Sequence, residues 1–314
     1  MRGDDTQTAR RIARRAVHGV LLLDKPLGLS SNDALQKAKR LFRAEKAGHT
    51  GTLDPLATGL LPICFGAATK FSQASLDADK AYRASLALGA TTSSGDGEGR
   101  IVLERPVAVT AAQIEAACAG LVGTIEQLPP MYSALKHEGR ALYDYARAGI
   151  EIERAPRRVT IHRIDILEWR ERRLVIDVTC SKGTYIRTLA ADIGEALGCG
   201  AHLSALRRTA SGALQVDRAV TLDALAAMSE PERDAQLLPT DALLADAPEI
   251  RLGEAEAGRF LTGLRRRIDA ADSARLRVYG PQPRAFLGSA HITGGELIAD
   301  RLLSPIEVQA LIAS

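Results

Sequence analysis

Two side chains and the glycines around them raise the first chemical question. In "GHTGTLDPLATGLL" (48–61) one carboxylate, Asp54, and one imidazole, His49, stand among three glycines, three threonines and a proline. A lone acid on a tightly turned loop can act as a nucleophile or carry a proton, provided something keeps and aims its charge. The same Asp-Pro pair is also a common turn initiator, and a histidine in such a loop also reads as a backbone-bonding residue. The loop runs straight into "LLPICFG", an apolar stretch that belongs in a core.

Three further islands carry chemistry-bearing residues. "DKPLGLSS" holds Lys25 in a turn, "DKAYR" holds Tyr82, and "CSKGTYIRTLAADIG" holds Lys182, Tyr185 and Arg187. Each has a plain structural reading: a core tyrosine with its hydroxyl at the rim, or solvated cations at a strand-to-helix junction. "SKGT" is part of a phosphate loop without its leading glycines, and no HExxH, GxSxG or GxGxxG pattern occurs. Taken together, the islands offer one acid, one arginine, aromatics and glycine loops. That set suits carboxylate chemistry, with the arginine holding the acid ionised and aiming it.

Positioning these residues requires a folded body. "GVLLLDK" (19–25) reads as an apolar strand and "SNDALQKAKRLFRA" (31–44) as an amphipathic helix with a serine to cap it. "AYRASLALG" (81–89) alternates as a strand does, and "TTSSGDGEG" (91–99) reads as a polar turn. Thr110 with Gln113 forms a capping-box pattern and opens a helix. "RRVTIHRIDILEWR" and "RRLVIDVTC" read as a strand pair, and "GTYIRTLAADIGEALG" (183–198) as a helix stopped by glycine. The order predicts an α+β fold. The acidic, proline-containing stretch 226–250 reads as a helix and connector, so a boundary is expected near residue 246. Beyond it come short strands divided by glycine turns.

The chain has 314 residues, 46% hydrophobic and 25% charged, which fits an ordinary globular protein and not a disordered or membrane chain. "GVLLL" is too short to span a bilayer. Net charge is +3, which permits a nucleic-acid partner without requiring one. Only eight of the basic residues are lysines, none beyond Lys182. Genome composition explains that bias as readily as phosphate recognition does. Cys64, Cys118, Cys180 and Cys199 are scattered without metal spacing, so a reducing cytoplasm and no metal site are expected. Residues 1–18 read as a flexible arginine-rich tail.

"HTGTLDPLATGLLPICFGAATKFSQ" closely resembles the catalytic signature of the bacterial tRNA pseudouridine-55 synthases, the TruB family. "LLLDKPLGLSSNDALQKAKR", "PPMYSALKHEGRALYDYARAGIE" and "CSKGTYIRTLAADIGEALGCGAHLSALRR" resemble its other blocks in the same order. The resemblance runs from residue 19 to about 225, and the tail "RAFLGSAHITGGELIADRLLSP" resembles, more loosely, a PUA-type RNA-binding module. It implies a pseudouridine-synthase catalytic domain (19–246) on a mixed, mainly antiparallel sheet with flanking helices, and a β-barrel-like PUA module (247–314). It implies isomerisation of a T-loop uridine of tRNA, with breakage of C1′–N1, base rotation and bonding of C1′ to C5. Neither cofactor nor metal is implied, and no guide RNA or protein partner.

By the same resemblance Asp54 is the nucleophile, with the attacked atom left open. Tyr82 stacks on the uracil, Arg187 pairs with Asp54, and Tyr185 lies beside the nucleotide. Leu206 forms an apolar wall, His49 fills the space the flipped base leaves, Lys25 has a structural or RNA-proximal role, and Lys182 lies near the RNA. A monomer is expected. Two other readings share the scaffold: an RNA-binding or tRNA-folding chaperone, and a guide-dependent synthase subunit.

Overall fold

The computed structural model describes residues 13–283 and 285–313. Most of the expected arginine-rich tail, residues 1–12, lies outside them. Arg15 and Val17, from the same stretch, sit on the body. Arg15 bridges to Ala44 and pairs with Asp234, and Val17 is buried.

The strand Gly19–Lys25 is buried along most of its length, as its unbroken apolar run demands. It pairs antiparallel with Ala57–Phe65 and parallel with Val220–Thr221. From Ala57–Phe65 the main sheet continues through Ala201–Ser211, Lys80–Leu88, Arg173–Cys180, Arg157–Arg170 and Gly123–Gln127. Pairing is antiparallel except at Val220–Thr221 and between Ala57–Phe65 and Ala201–Ser211. The sheet is therefore mixed and mainly antiparallel, and the fold is α+β. Ala47–His49 pairs with residues 63–65 of Ala57–Phe65, and Ala201–Ser211 with residues 57–59. The loop 50–56, which carries Asp54, lies where that strand changes partner.

Two helices support the loop and the site. Ser30 caps Ser31–Leu41 by accepting from the Asp33 amide, and the helix buries Ala34, Leu35 and Ala38. The helix Ile186–Ala196 buries Leu189, Ala190 and Ile193 against the sheet. Gly194 lets it approach closely, because a Cβ there would stand 2.1 Å from the Ala201 nitrogen. The capping box at Thr110 and Gln113 opens the helix Ala111–Ala119, as the sequence predicts.

A second, five-stranded sheet holds Glu249–Arg251, Ser273–Tyr279, Phe286–Thr293, Glu296–Leu302 and Arg266–Arg267, with the helices Glu254–Leu261 and Pro305–Ala313 beside it. This is the small β module, of PUA type. Its core is continuous with the body: Ala67, Phe71 and Leu244 belong to the same buried cluster as Phe286 and Leu297. The Phe71 and Phe286 rings lie 5.1 Å apart, and Lys70 pairs with Glu307 at 2.6 Å.

Candidate active site

Ser31, in the first turn of its helix, clamps the Asp54 loop from below. Its hydroxyl accepts from the Leu53 amide at 2.7 Å and lies 3.0 Å from the Leu53 carbonyl, while the Leu53 side chain is buried. From the other side, the Thr50 hydroxyl meets Ser75 at 2.8 Å and the Pro55 carbonyl accepts from the Gly28 amide at 2.8 Å. The glycine-rich loop is tied on both flanks, with the Asp54 carboxylate turned outward and 43% exposed.

Arg187 reaches that carboxylate from the first turn of Ile186–Ala196. Its side chain is only 7% exposed, and its Nη2 stands 3.0 Å from Asp54 Oδ2. The Ser94 carbonyl accepts from Nη1 at 3.1 Å and the Tyr132 carbonyl from Nη2 at 2.5 Å, so the fork is fixed on several sides. A second carboxylate faces it: Asp96 Oδ2 lies 3.6 Å from Nη1, and Asp96 is buried. Sequence reasoning missed Asp96, since "TTSSGDGEG" reads as a solvated turn. The usable signal is an acid between two glycines in a segment that would otherwise be free to face water.

Burial pushes the Asp54 carboxyl above the usual range; Arg187 opposes this, Asp96 adds to it and Lys25 opposes it. Arg187 limits a shift that desolvation and a second carboxylate drive upward.

Asp54, Asp96, Arg187 and His49 line a cavity of about 620 Å³, together with Tyr132, Ser133, Tyr143 and Arg147. That volume suits one nucleotide-sized occupant. The Nδ1 of His49 is buried without a hydrogen-bond partner among the described residues, and burial, aided by Arg208, pushes its imidazole down. His49 is thus a neutral ring facing the cavity. Tyr132 and Tyr143 expose ring surface at the cavity wall, and the Arg147 guanidinium lies 5.4 Å from the Tyr143 ring centre.

The other expected residues fall in different places. Tyr82 and Leu206 pack together at the junction of two core clusters, and Leu206 lies across the strand pair from Ala57. Tyr82 is close enough to feel the charge of Asp54. Tyr185 precedes the helix of Arg187, with its backbone held by Gln127, whose Oε1 accepts from the Tyr185 amide at 3.0 Å. Lys25 is fully buried and gives its ammonium protons to the Pro26 and Leu29 carbonyls, at 2.9 and 2.6 Å. It therefore ties its own turn together, and burial pulls its ammonium down to about 8. Lys182 is exposed and pairs with Asp77 at 2.7 Å, apart from the cavity lining. The four cysteines are free and buried.

The mixed sheet carries an arginine-held aspartate at the wall of a nucleotide-sized cavity, and the chain matches pseudouridine synthases over most of its length. Residues 39–186 match the N-terminal domain of TruB family pseudouridylate synthases, residues 187–245 the tRNA pseudouridylate synthase B C-terminal domain, and residues 248–303 the C-terminal region of pseudouridine synthase II TruB. The chain is 57% identical over 303 residues to the tRNA pseudouridine synthase B of Cupriavidus pinatubonensis, covering 93% of this chain and 96% of that one. It is 56% identical over 312 residues to that of Verminephrobacter eiseniae, covering 97% and 94%. The chain belongs to the TruB family of pseudouridine synthases. Its fold also matches the archaeal box H/ACA sRNP Nop10–Cbf5 complex, at a TM-score of 0.70 and 24% identity over 93% of this chain and 88% of that one.

Proposed function

We propose that this chain is a tRNA pseudouridine synthase that isomerises the T-loop uridine at position 55, with Asp54 as the nucleophile. The observation that carries the reading is the Arg187–Asp54 contact of 3.0 Å at the wall of a cavity large enough for one flipped nucleotide. A protein that only binds RNA has no use for an acid held and aimed by a buried guanidinium, whereas a nucleophile needs its charge kept and aimed.

The target base must leave its stack to reach Asp54, and the cavity receives it. Asp54 attacks the nucleotide, the C1′–N1 bond breaks, the uracil turns, C1′ bonds to C5, the bond to Asp54 is released, and the proton lost from C5 is matched by one gained at N1. Atoms balance within the substrate, so the reaction needs no cofactor. His49, uncharged, takes the space the base leaves in the RNA loop. Tyr82 stacks on the uracil, Leu206 supplies the apolar wall behind it, and Tyr185 borders the ribose. Lys25 holds the turn beside the Asp54 loop. Lys182, 61% exposed, remains available to a phosphate.

Residues 19–246 form the catalytic body and 247–314 the RNA-binding module, with 1–18 preceding them. The chain acts as a monomer in the cytoplasm, without guide RNA or protein partner. The purified chain should form pseudouridine in unmodified tRNA when incubated with nothing else. Absence of pseudouridine, with the tRNA bound, would overturn this reading.

A further inference from the structure

Arg208 is the largest fully buried side chain, 1% exposed, and no carboxylate pairs with it among the described residues. A guanidinium taken out of water without an anion is costly, by several kcal/mol even after relaxation. Its donors go elsewhere. Nε gives its proton to the Leu60 carbonyl at 2.7 Å and Nη2 to the Gly51 carbonyl at 3.1 Å. Tyr82 stands directly opposite Arg208 across the strand pair, close enough for the guanidinium to oppose the rise that burial causes in its phenol.

The Asp54 segment passes close to Arg208, to its side chain at Gly51 and to its main chain at Gly59. Gly51, at φ +86°, would place a Cβ 3.2 Å from Arg208 Nη1. Gly59, at φ +97°, would place one 2.3 Å from the Arg208 carbonyl oxygen. Two of the three glycines in "GHTGTLDPLATGLL" thus let the Asp54 segment pass Arg208, while Gly48 has open space around it.

We propose that Arg208 is a positioning residue that locks Tyr82 and the Asp54 loop into one frame. Arginine has no acceptor, so in this proposed frame the Tyr82 oxygen accepts from the guanidinium and the Tyr82 O–H points away from it. Through Gly51 the same fork holds the loop three residues before Asp54. Free-standing positive charge at this place agrees with its surroundings: after burial itself, Arg208 is the next cause that pushes Lys80 and His49 down. Burial raises the Tyr82 phenol, and Arg208 opposes that rise. The role rests on the reading that this site makes pseudouridine.

The test is a double-mutant cycle on the full chain, with single-turnover pseudouridine formation in unmodified tRNA as the readout. Arg208→Lys keeps the charge but cannot reach both carbonyls and the phenol at once. It should slow the reaction by about 100-fold, the effect of a small misplacement at a reacting centre. In a Tyr82→Phe background, where the hydroxyl is already gone, the same change should slow it much less. Filter retention of tRNA should stay within about twofold in every variant. Equal losses in both backgrounds would mean that Arg208 only supports the fold, and no loss in the Tyr82 chain would mean that it does not position the site; either result overturns the proposal. An inactive wild-type chain would instead overturn the functional reading itself.

Discussion

The Nη2 nitrogen of Arg187 stands 3.0 Å from Oδ2 of Asp54, with the arginine side chain 7% exposed and the aspartate 43%. A buried cation thus meets a carboxylate that solvent and substrate can still reach. The same guanidinium holds buried Asp96 at 3.6 Å, so it balances two acids with one charge.

Arg187→Leu removes that balance. The Asp54 carboxyl already lies above its usual range through burial, and losing Arg187 pushes it higher still. A nucleophile must be ionised, so the acid limb of the pH–rate profile should move to higher pH, and the maximal rate should fall by about 10²–10³-fold. Arg187→Lys should restore part of both, since a point charge replaces a fork. The measurement is single-turnover pseudouridine formation from pH 5 to 9. A leucine variant with the wild-type profile would remove Arg187 from the chemistry.

Gly59→Ala should be destabilising while Gly48→Ala is tolerated. The first glycine sits at φ +97°, and a Cβ there would stand 2.3 Å from a backbone oxygen. The left-handed conformation alone costs about 1–2 kcal/mol, and the clash adds to it. At Gly48 an added methyl would meet no heavy atom within 4 Å, and its φ is not positive. Thermal melts should show a Tm several degrees lower for the first variant only; equal Tm values would show that the close pass of Arg208 is not enforced.

Phe71→Ala tests how the β module is attached. The ring is buried against Phe286 at 5.1 Å, in a cluster that joins Ala67, Phe71 and Leu244 of the body to the module. Its removal should cost about 3–5 kcal/mol. Ending the chain at residue 246 exposes Ala67, Phe71 and Leu244 together, so the truncated body should melt lower than the whole chain. If the module carries RNA contacts, truncation should also flatten the salt dependence of tRNA binding by roughly one unit of slope per phosphate lost. An unchanged Tm on truncation would contradict the shared core.

Asp54 and His49 were legible because a glycine-rich segment sets them off from the apolar run that follows, and Arg187 because it opens a readable helix; the family resemblance supplied their roles. Asp96 and Arg208 were not legible. Asp96 hides in a polar segment whose fold depends on strand pairing with Ile101–Glu104. Arg208, in "LSALRR", has the local pattern of one more surface arginine. The strand Ala57–Phe65 is buried along nearly its whole length and contains Pro62, so it shows no alternation to read. Ala201–Ser211 carries irregular register at Leu203–Ala205 and at Arg208–Ala210, which breaks its period of two. The helix of Arg187 and the capping box at Thr110 were legible because local chemistry alone sets them. The core that the module shares with the body was not, because Phe71 and Phe286 are far apart in sequence.

The central claim is that the Asp54 carboxylate is the nucleophile, and Asp54→Asn tests it most directly. Asparagine keeps the shape and the turn before Pro55 and removes only the charge. Incubated in excess with unmodified tRNA in a single turnover, the variant should form no detectable pseudouridine. It should retain tRNA on a filter as the wild type does, because phosphate and stacking contacts carry the affinity. Pseudouridine formation at a rate near wild type would contradict the account.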